Sequence, residues 1–192
     1  MKADHRRHMA ADCARKVCAA LLCLFPSATI ALSQDRLFDE TRFGILTSVD
    51  GGHREDGFVL TGMVFFDPFD SRQAQGWDKL VRPRLHVGAD VSTSGATDQI
   101  YAGFSWTANL TDRLFLETGF GGTLHDGNLD TRDDDGPRLG CRALFHEYAA
   151  LGLNLTANWT ATAQIEHSSH ANLCDGPNEG LTRAGLMIGY RF

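Results

Sequence analysis

Three things are scarce in this sequence, and each scarcity narrows the reading. Past residue 33 there is no apolar run of the roughly 20 residues that a membrane-spanning helix needs. There is no basic surplus either: 18 Lys and Arg stand against 24 Asp and Glu, for a net charge of −6. Nucleic acid is therefore excluded as a partner, because binding phosphates calls for a basic face. Cysteine is sparse, at five residues, and three of these (Cys13, Cys18 and Cys23) fall in the first 33 positions. What is present is 192 residues, 43% of them apolar, which suits one folded domain and is too apolar for a disordered chain. The slightly negative mean hydropathy speaks against a bundle of membrane helices. It leaves a membrane β-barrel open, since only alternate residues of such a strand face lipid.

Residues 1–33 read as an export signal. Lys2, Arg6, Arg7, Arg15 and Lys16 form a basic start, Val17 to Leu24 is a short apolar run, and Ala31-Leu32-Ser33 is a small-residue cleavage site before Gln34. A buried N-terminal helix is the competing reading, but Pro26 and the polar residues after it would end such a helix early. Lipidation at Cys23 is rejected because Leu22 is too large for the position before a lipidated cysteine. Loss of this leader removes five basic and two acidic residues and takes the net charge from −6 to about −9. Residues 34–192 then hold Cys141 and Cys174 alone, a single pair for which a disulfide is expected in an exported protein.

The remainder is a series of short segments alternating in polarity, separated by Gly, Asp, Asn and Pro clusters. Eight strands are predicted, at 42–49, 58–66, 83–91, 101–108, 114–124, 139–151, 159–169 and 183–192. Each is close to the roughly 9–11 residues that cross a bilayer at a tilt. A soluble β-sandwich would alternate in the same way. Two features favour the membrane: an ending on Phe192 with apolar residues at every second position before it, and aromatics near strand ends (Phe66, Trp77, Trp106, Phe115, Trp159, Tyr190). The predicted fold is an all-β, eight-stranded antiparallel up-and-down outer-membrane β-barrel, closed because an open sheet edge cannot face lipid. With both ends in the periplasm, the Asp50–Asp56 turn and the 92–98, 125–138 and 171–178 connections fall outside. The 67–82 connection is then an unusually long inner one that could hide another strand or bulge.

Chemistry concentrates at the end of the seventh strand, Glu166-His167-Ser168-Ser169-His170. Residues two apart share a face, so His167 and Ser169 point the same way as Trp159, Ala161, Ala163 and Ile165. If that face meets lipid, an imidazole and a hydroxyl sit on the outer wall near the outer rim. They can serve as base and nucleophile toward an acyl ester, or simply mark a strand end already in the headgroup zone. His167 and His170, three apart, diverge, as do His146 and Glu147, so no metal site is predicted and no cofactor is implied. The Asp133-Asp134-Asp135 run reads as a solvated loop rather than a calcium site, and Gly119, Gly121 and Gly122 as strand glycines rather than a phosphate loop.

The stretch His167-Ser168-Ser169-His170, then Pro177-Asn178-Glu179-Gly180-Leu181 and the ending Gly185 to Phe192, resembles the C-terminal signature of the PagL-type lipid A deacylases (the acyloxyacyl hydrolase family). Phe115 to Gly127 and Leu139 to Glu147 are similar to the same family, and the resemblance is good from about Phe104 onward. It implies an outer-membrane esterase that acts on lipopolysaccharide and removes the acyl chain ester-linked at the 3 position of lipid A. Ser169 would be the nucleophile and His167 the base, with backbone amides at His170 and Asn172 stabilising the oxyanion. The chain has His170 where the family has Asn, and Thr182 where the family has its glutamate. Glu179, or a water held by Thr182, is then expected to orient His167. A non-catalytic structural barrel is the alternative from a different class, and an acyltransferase barrel is a third. A homo-oligomer is compatible with the sequence. The topology brings Cys141 and Cys174 to neighbouring outer hairpins, where a disulfide would fasten the loop after Ser169.

Overall fold

The computed structural model describes residues 38–50, 55–130 and 136–192. The predicted leader and the Asp133–Asp135 run lie outside the described residues. Eight strands run in chain order: β1 (Phe38–Ser48), β2 (Val59–Phe66), β3 (Arg84–Ser92), β4 (Gln99–Asn109), β5 (Leu114–His125), β6 (Ala143–Asn154), β7 (Trp159–Ser169) and β8 (Leu181–Arg191). Each pairs antiparallel with its sequence neighbour, and β1 pairs with β8 from Glu40↔Arg191 to Ser48↔Arg183. The sheet is thereby a closed barrel with no free edge. Among the described residues no helix is long and apolar enough to cross a membrane, which says nothing about strands.

The period-two pattern dictates which way each wall residue faces. Phe43, Ile45, Leu60, Ile100, Leu116, Phe120, Leu151, Ile165, Leu186 and Ile188 are exposed on the outer wall. Between them, Glu40, Arg42, Arg84, Asp90, Gln99, Glu117, Glu166 and Arg183 are buried inside. This inverts the soluble arrangement and makes sense only if the outside meets hydrocarbon. An eight-stranded barrel is just wide enough for its side chains to fill it, and here they do. Arg42 forks onto Glu117 at 2.6 and 3.0 Å and reaches Glu40 at 2.7 Å. Arg84 bonds Asp39, Glu40 and Glu117, and both guanidiniums lie 4.4 Å from the Phe65 ring. Midway, Tyr101 stacks on His146 at 4.1 Å. Toward the rim bearing β7's end, Arg183 bonds Glu55 at 2.7 Å, and Gln99 donates to Asp90 and Glu166.

Several expected boundaries move for local reasons. β1 starts at Phe38 rather than Arg42, because Glu40 and Arg42 are lumen residues of the strand and not loop charges. β6 starts at Ala143 rather than Leu139, since Gly140 takes φ +68° and Cys141 is bonded to Cys174. Phe115 is fully buried in the lumen against Arg42 and Arg191, so it belongs to no interfacial girdle. Trp159, Tyr190 and Phe192 do cluster on one rim, with ring centroids 5.1 and 5.4 Å apart in sequence. The long 67–83 connection holds no extra strand; it carries a one-turn helix, α1 (Asp78–Val81).

Candidate active site

β7 sets the candidate pair by alternation. Glu166 and Ser168 point into the lumen, where Gln99 donates to Glu166 and Ser168 donates to Gln99. His167 and Ser169, half-buried, therefore face outward in line with exposed Ile165 and Ala163. They are one pleat repeat apart, about 7 Å along the strand, with no hydrogen bond between them. The Ser169 hydroxyl has no partner among the described residues.

His167 lies in a row across three strands, paired with Glu147 on β6 and Thr182 on β8. Its Nδ1 is 2.9 Å from Thr182 Oγ1. With Nδ1–H donating to that hydroxyl, Nε2 keeps its lone pair on the side free to accept a proton. The Thr182 amide in turn donates to Asp50 Oδ2 at 2.7 Å, and Val49 donates to the Thr182 carbonyl at 3.0 Å. Thr182 is thus held from both sides. Gly180 explains itself by packing: its φ is +75°, and a Cβ there would stand 2.6 Å from His167 Cε1.

Glu179 is engaged elsewhere, which corrects the expectation that it orients the imidazole. It accepts from the Arg138 backbone amide at 2.7 Å and from the Arg138 guanidinium at 2.9 and 2.5 Å. Those bonds also raise the Arg138 pKa. The pair ties the β5–β6 loop to the β7–β8 loop. The Cys141–Cys174 disulfide, with Cα atoms 6.3 Å apart, joins the same two loops. His170 stands between them and is buried. Its Nε2 lies 3.0 Å from the Pro177 carbonyl and its Nδ1 3.4 Å from the Cys174 amide, so a single neutral tautomer satisfies both. Ligand atoms of Cys141, His170 and Cys174 fall within 4.8 Å of one another, but the two sulfurs are bonded together, leaving only the imidazole as a metal donor.

The amides beyond Ser169 divide. That of His170 donates to Asn178 Oδ1 at 3.2 Å, so it is not free to hold an oxyanion in this arrangement. Ala171 and Asn172 follow in left-handed conformations, φ +49° and +59°. Neither amide has an acceptor among the described residues. Asn178 also donates to Asn172 Oδ1 at 3.3 Å, which fixes this strained turn. Below the pair, the outer wall carries an apolar groove of about 790 Å3, floored by Ala161, Ala163, Ala184 and Gly185 and walled by Ile45, Leu151 and Leu186. Thr182 was singled out from the sequence, at the position where the family has its acid, but as the holder of a water; here its own hydroxyl meets Nδ1. Asp50 and Ala171 were not singled out as site residues.

The sequence profile of the PagL lipid A 3-O-deacylase family matches residues 75–191, more than half of the chain. The chain belongs to the PagL lipid A 3-O-deacylase family. Among solved structures, this PagL-family barrel is similar to the outer membrane enzyme PagL, at 17% identity and TM-score 0.58, over 78% of this chain and 97% of that one. It is also similar to the N-terminal β-barrel domain of Pseudomonas aeruginosa OprF, at 13% identity and TM-score 0.54, over 83% of this chain and 100% of that one. A de novo designed transmembrane β-barrel matches at 10% identity and TM-score 0.51, over 84% of this chain and 100% of the design. At such identities the structural likenesses show the fold, an outer-membrane-type barrel, while the profile shows the family. No curated protein matches the sequence.

Proposed function

We propose that this PagL-family chain is an exported lipid A 3-O-deacylase that works as a serine esterase from the outer wall of its barrel. Residues 1–33 act as the export leader. Ser169 is the nucleophile: His167 Nε2 takes its proton while Oγ attacks the ester carbonyl carbon. The tetrahedral oxyanion that forms is met by amides of the left-handed turn, Asn172 among them. His167 then returns the proton to the departing sugar hydroxyl. Water, deprotonated by the same imidazole, releases the acyl chain from Ser169 as a carboxylic acid.

The observation that carries the reading is the outward-facing His167 and Ser169, with Nδ1 tied to Thr182, on the same wall as an apolar groove whose β7 lining ends at Ala163, with exposed Ile165 between. A lipid substrate reaches such a pair without leaving the membrane, and its acyl chain has an apolar wall to lie along. Thr182 fixes the ring but brings no countercharge; loss of the acid in a triad costs up to about 10⁴-fold. The reading therefore predicts a slow enzyme rather than an inert barrel. Its test is mass spectrometry of lipid A from cells producing the wild type or Ser169→Ala. Loss of one ester-linked acyl chain with the wild type alone supports the proposal. Unchanged lipid A with both favours the structural barrel, and a mass gain favours the acyltransferase.

A further inference from the structure

At the rim opposite His167 and Ser169, beneath the 67–83 connection, lies a cavity of about 180 Å3 whose charged lining is entirely cationic: Arg72, Lys79, Arg82, Arg84 and Arg191. Hydroxyl, amide and indole side chains complete it, and no carboxylate lines it. Asp39, Glu40 and Glu117 lie behind, neutralising part of this charge through Arg42, Arg72, Arg84 and Arg191. Six cations thus stand with three carboxylates in this cluster, while Asp67, Asp70 and Asp78 lie on the same connection without lining the cavity. Among the described residues Lys79 donates only to the Thr107 carbonyl, at 3.3 Å. Arg82 is exposed and has no acceptor among the described residues. Arg84 is 4% exposed, yet its Nε has no partner among the described residues.

Large apolar side chains stand beside the cavity, among exposed polar residues of the same connection. Trp77 (85% exposed), Leu80 and Val81 stand out from α1 and its approach. Trp106 donates from Nε1 to the Leu80 carbonyl at 3.1 Å, holding the turn against the barrel wall. Exposed Trp and aliphatic residues beside a basic cluster are what a membrane–water interface selects. The cavity is smaller than the roughly 300–1,000 Å3 of pockets that swallow whole ligands, so it suits a headgroup whose chains remain outside.

We propose that this cavity binds the phosphate of a glycerophospholipid in the leaflet opposite the one that presents lipid A. Lys79, Arg82 and the Arg84 Nε–H contact the phosphate oxygens, while Trp77, Leu80 and Val81 enter the acyl region. The long inner connection is then a lipid clamp. The phosphate chemistry could also be met by free phosphate, which the test separates.

Native mass spectrometry of the purified chain in an uncharged detergent supplies that test, with phosphatidylglycerol, diacylglycerol and inorganic phosphate as probes. The expected result is one retained phosphatidylglycerol, little diacylglycerol, and a loss of affinity of about tenfold or more in Lys79→Ala/Arg82→Ala. Arg82→Lys alone should retain binding, and Arg113→Ala, on a neighbouring turn of the same rim, should bind like the wild type. Both altered side chains are without a carboxylate partner, so a folded barrel by circular dichroism is expected in every variant. Equal retention of diacylglycerol, or unchanged binding in the double variant, would overturn the site. Free phosphate binding as tightly as the lipid would overturn the lipid as its occupant.

Discussion

On the proposed mechanism, Thr182 decides how well His167 works. The hydroxyl 2.9 Å from Nδ1 accepts the ring proton and sets the tautomer, but it is neutral where the family has glutamate. Thr182→Glu is expected to raise kcat by about tenfold or more with little change in KM, measured as fatty acid released from detergent-dispersed lipid A. Thr182→Val, which keeps the shape and loses the acceptor, should lower kcat by a similar factor. Ser169→Ala should abolish turnover in the same assay. Gly180→Ala places a methyl 2.6 Å from the imidazole in a left-handed backbone position; it should cost activity more than stability, compared by turnover and by urea unfolding. His167 and Ser169 were legible from alternation because a strand forces residues two apart onto one face. Thr182 was legible as a candidate partner of His167 from its place at the start of β8, but the partner of Glu179 was not, since it depends on how loops fold over the rim. Glu179 has the right charge and the right neighbourhood, and only the course of the chain hands it to Arg138.

At the level of elements, the two outer loops nearest the site are fastened twice, by Cys141–Cys174 and by Arg138–Glu179. Cys141→Ser/Cys174→Ser is expected to lose about 2–4 kcal/mol of stability in urea unfolding. Hydrogen exchange should rise in 136–142 and 170–180 while the strands stay protected. The strands themselves were readable: every outward residue named from alternation on β7 and β8 faces outward. Their ends were harder. A charged residue looks like loop until the lumen is known to want it, which is why Glu40 and Arg42 hid the first turn of β1. The same ambiguity placed Phe115, an aromatic at a strand start, at the interface when it packs beneath Arg42 inside.

The whole molecule is an inside-out protein, apolar on its surface and ionic at its centre. Glu117 holds Arg42, Arg84, Thr107 and Tyr148 together and is fully buried. Glu117→Gln removes the countercharge of two buried guanidiniums and is expected to destabilise the barrel by about 3–5 kcal/mol in urea unfolding. Ser169→Ala, on the outer wall, should stay within about 0.5 kcal/mol. Composition and alternation foretold a closed barrel because lipid permits no open edge. They could not foretell which charges would meet across the lumen, since that depends on register around eight strands. The central claim is that Ser169, activated by His167, is a nucleophile on the outer wall. Its most direct measurement is peptide mapping of the purified barrel after exposure to a fluorophosphonate, which captures activated serines. The account predicts a phosphonyl adduct on Ser169 in the wild type, faster in Thr182→Glu and absent in His167→Asn. An unmodified Ser169, or equal labelling without His167, would contradict it.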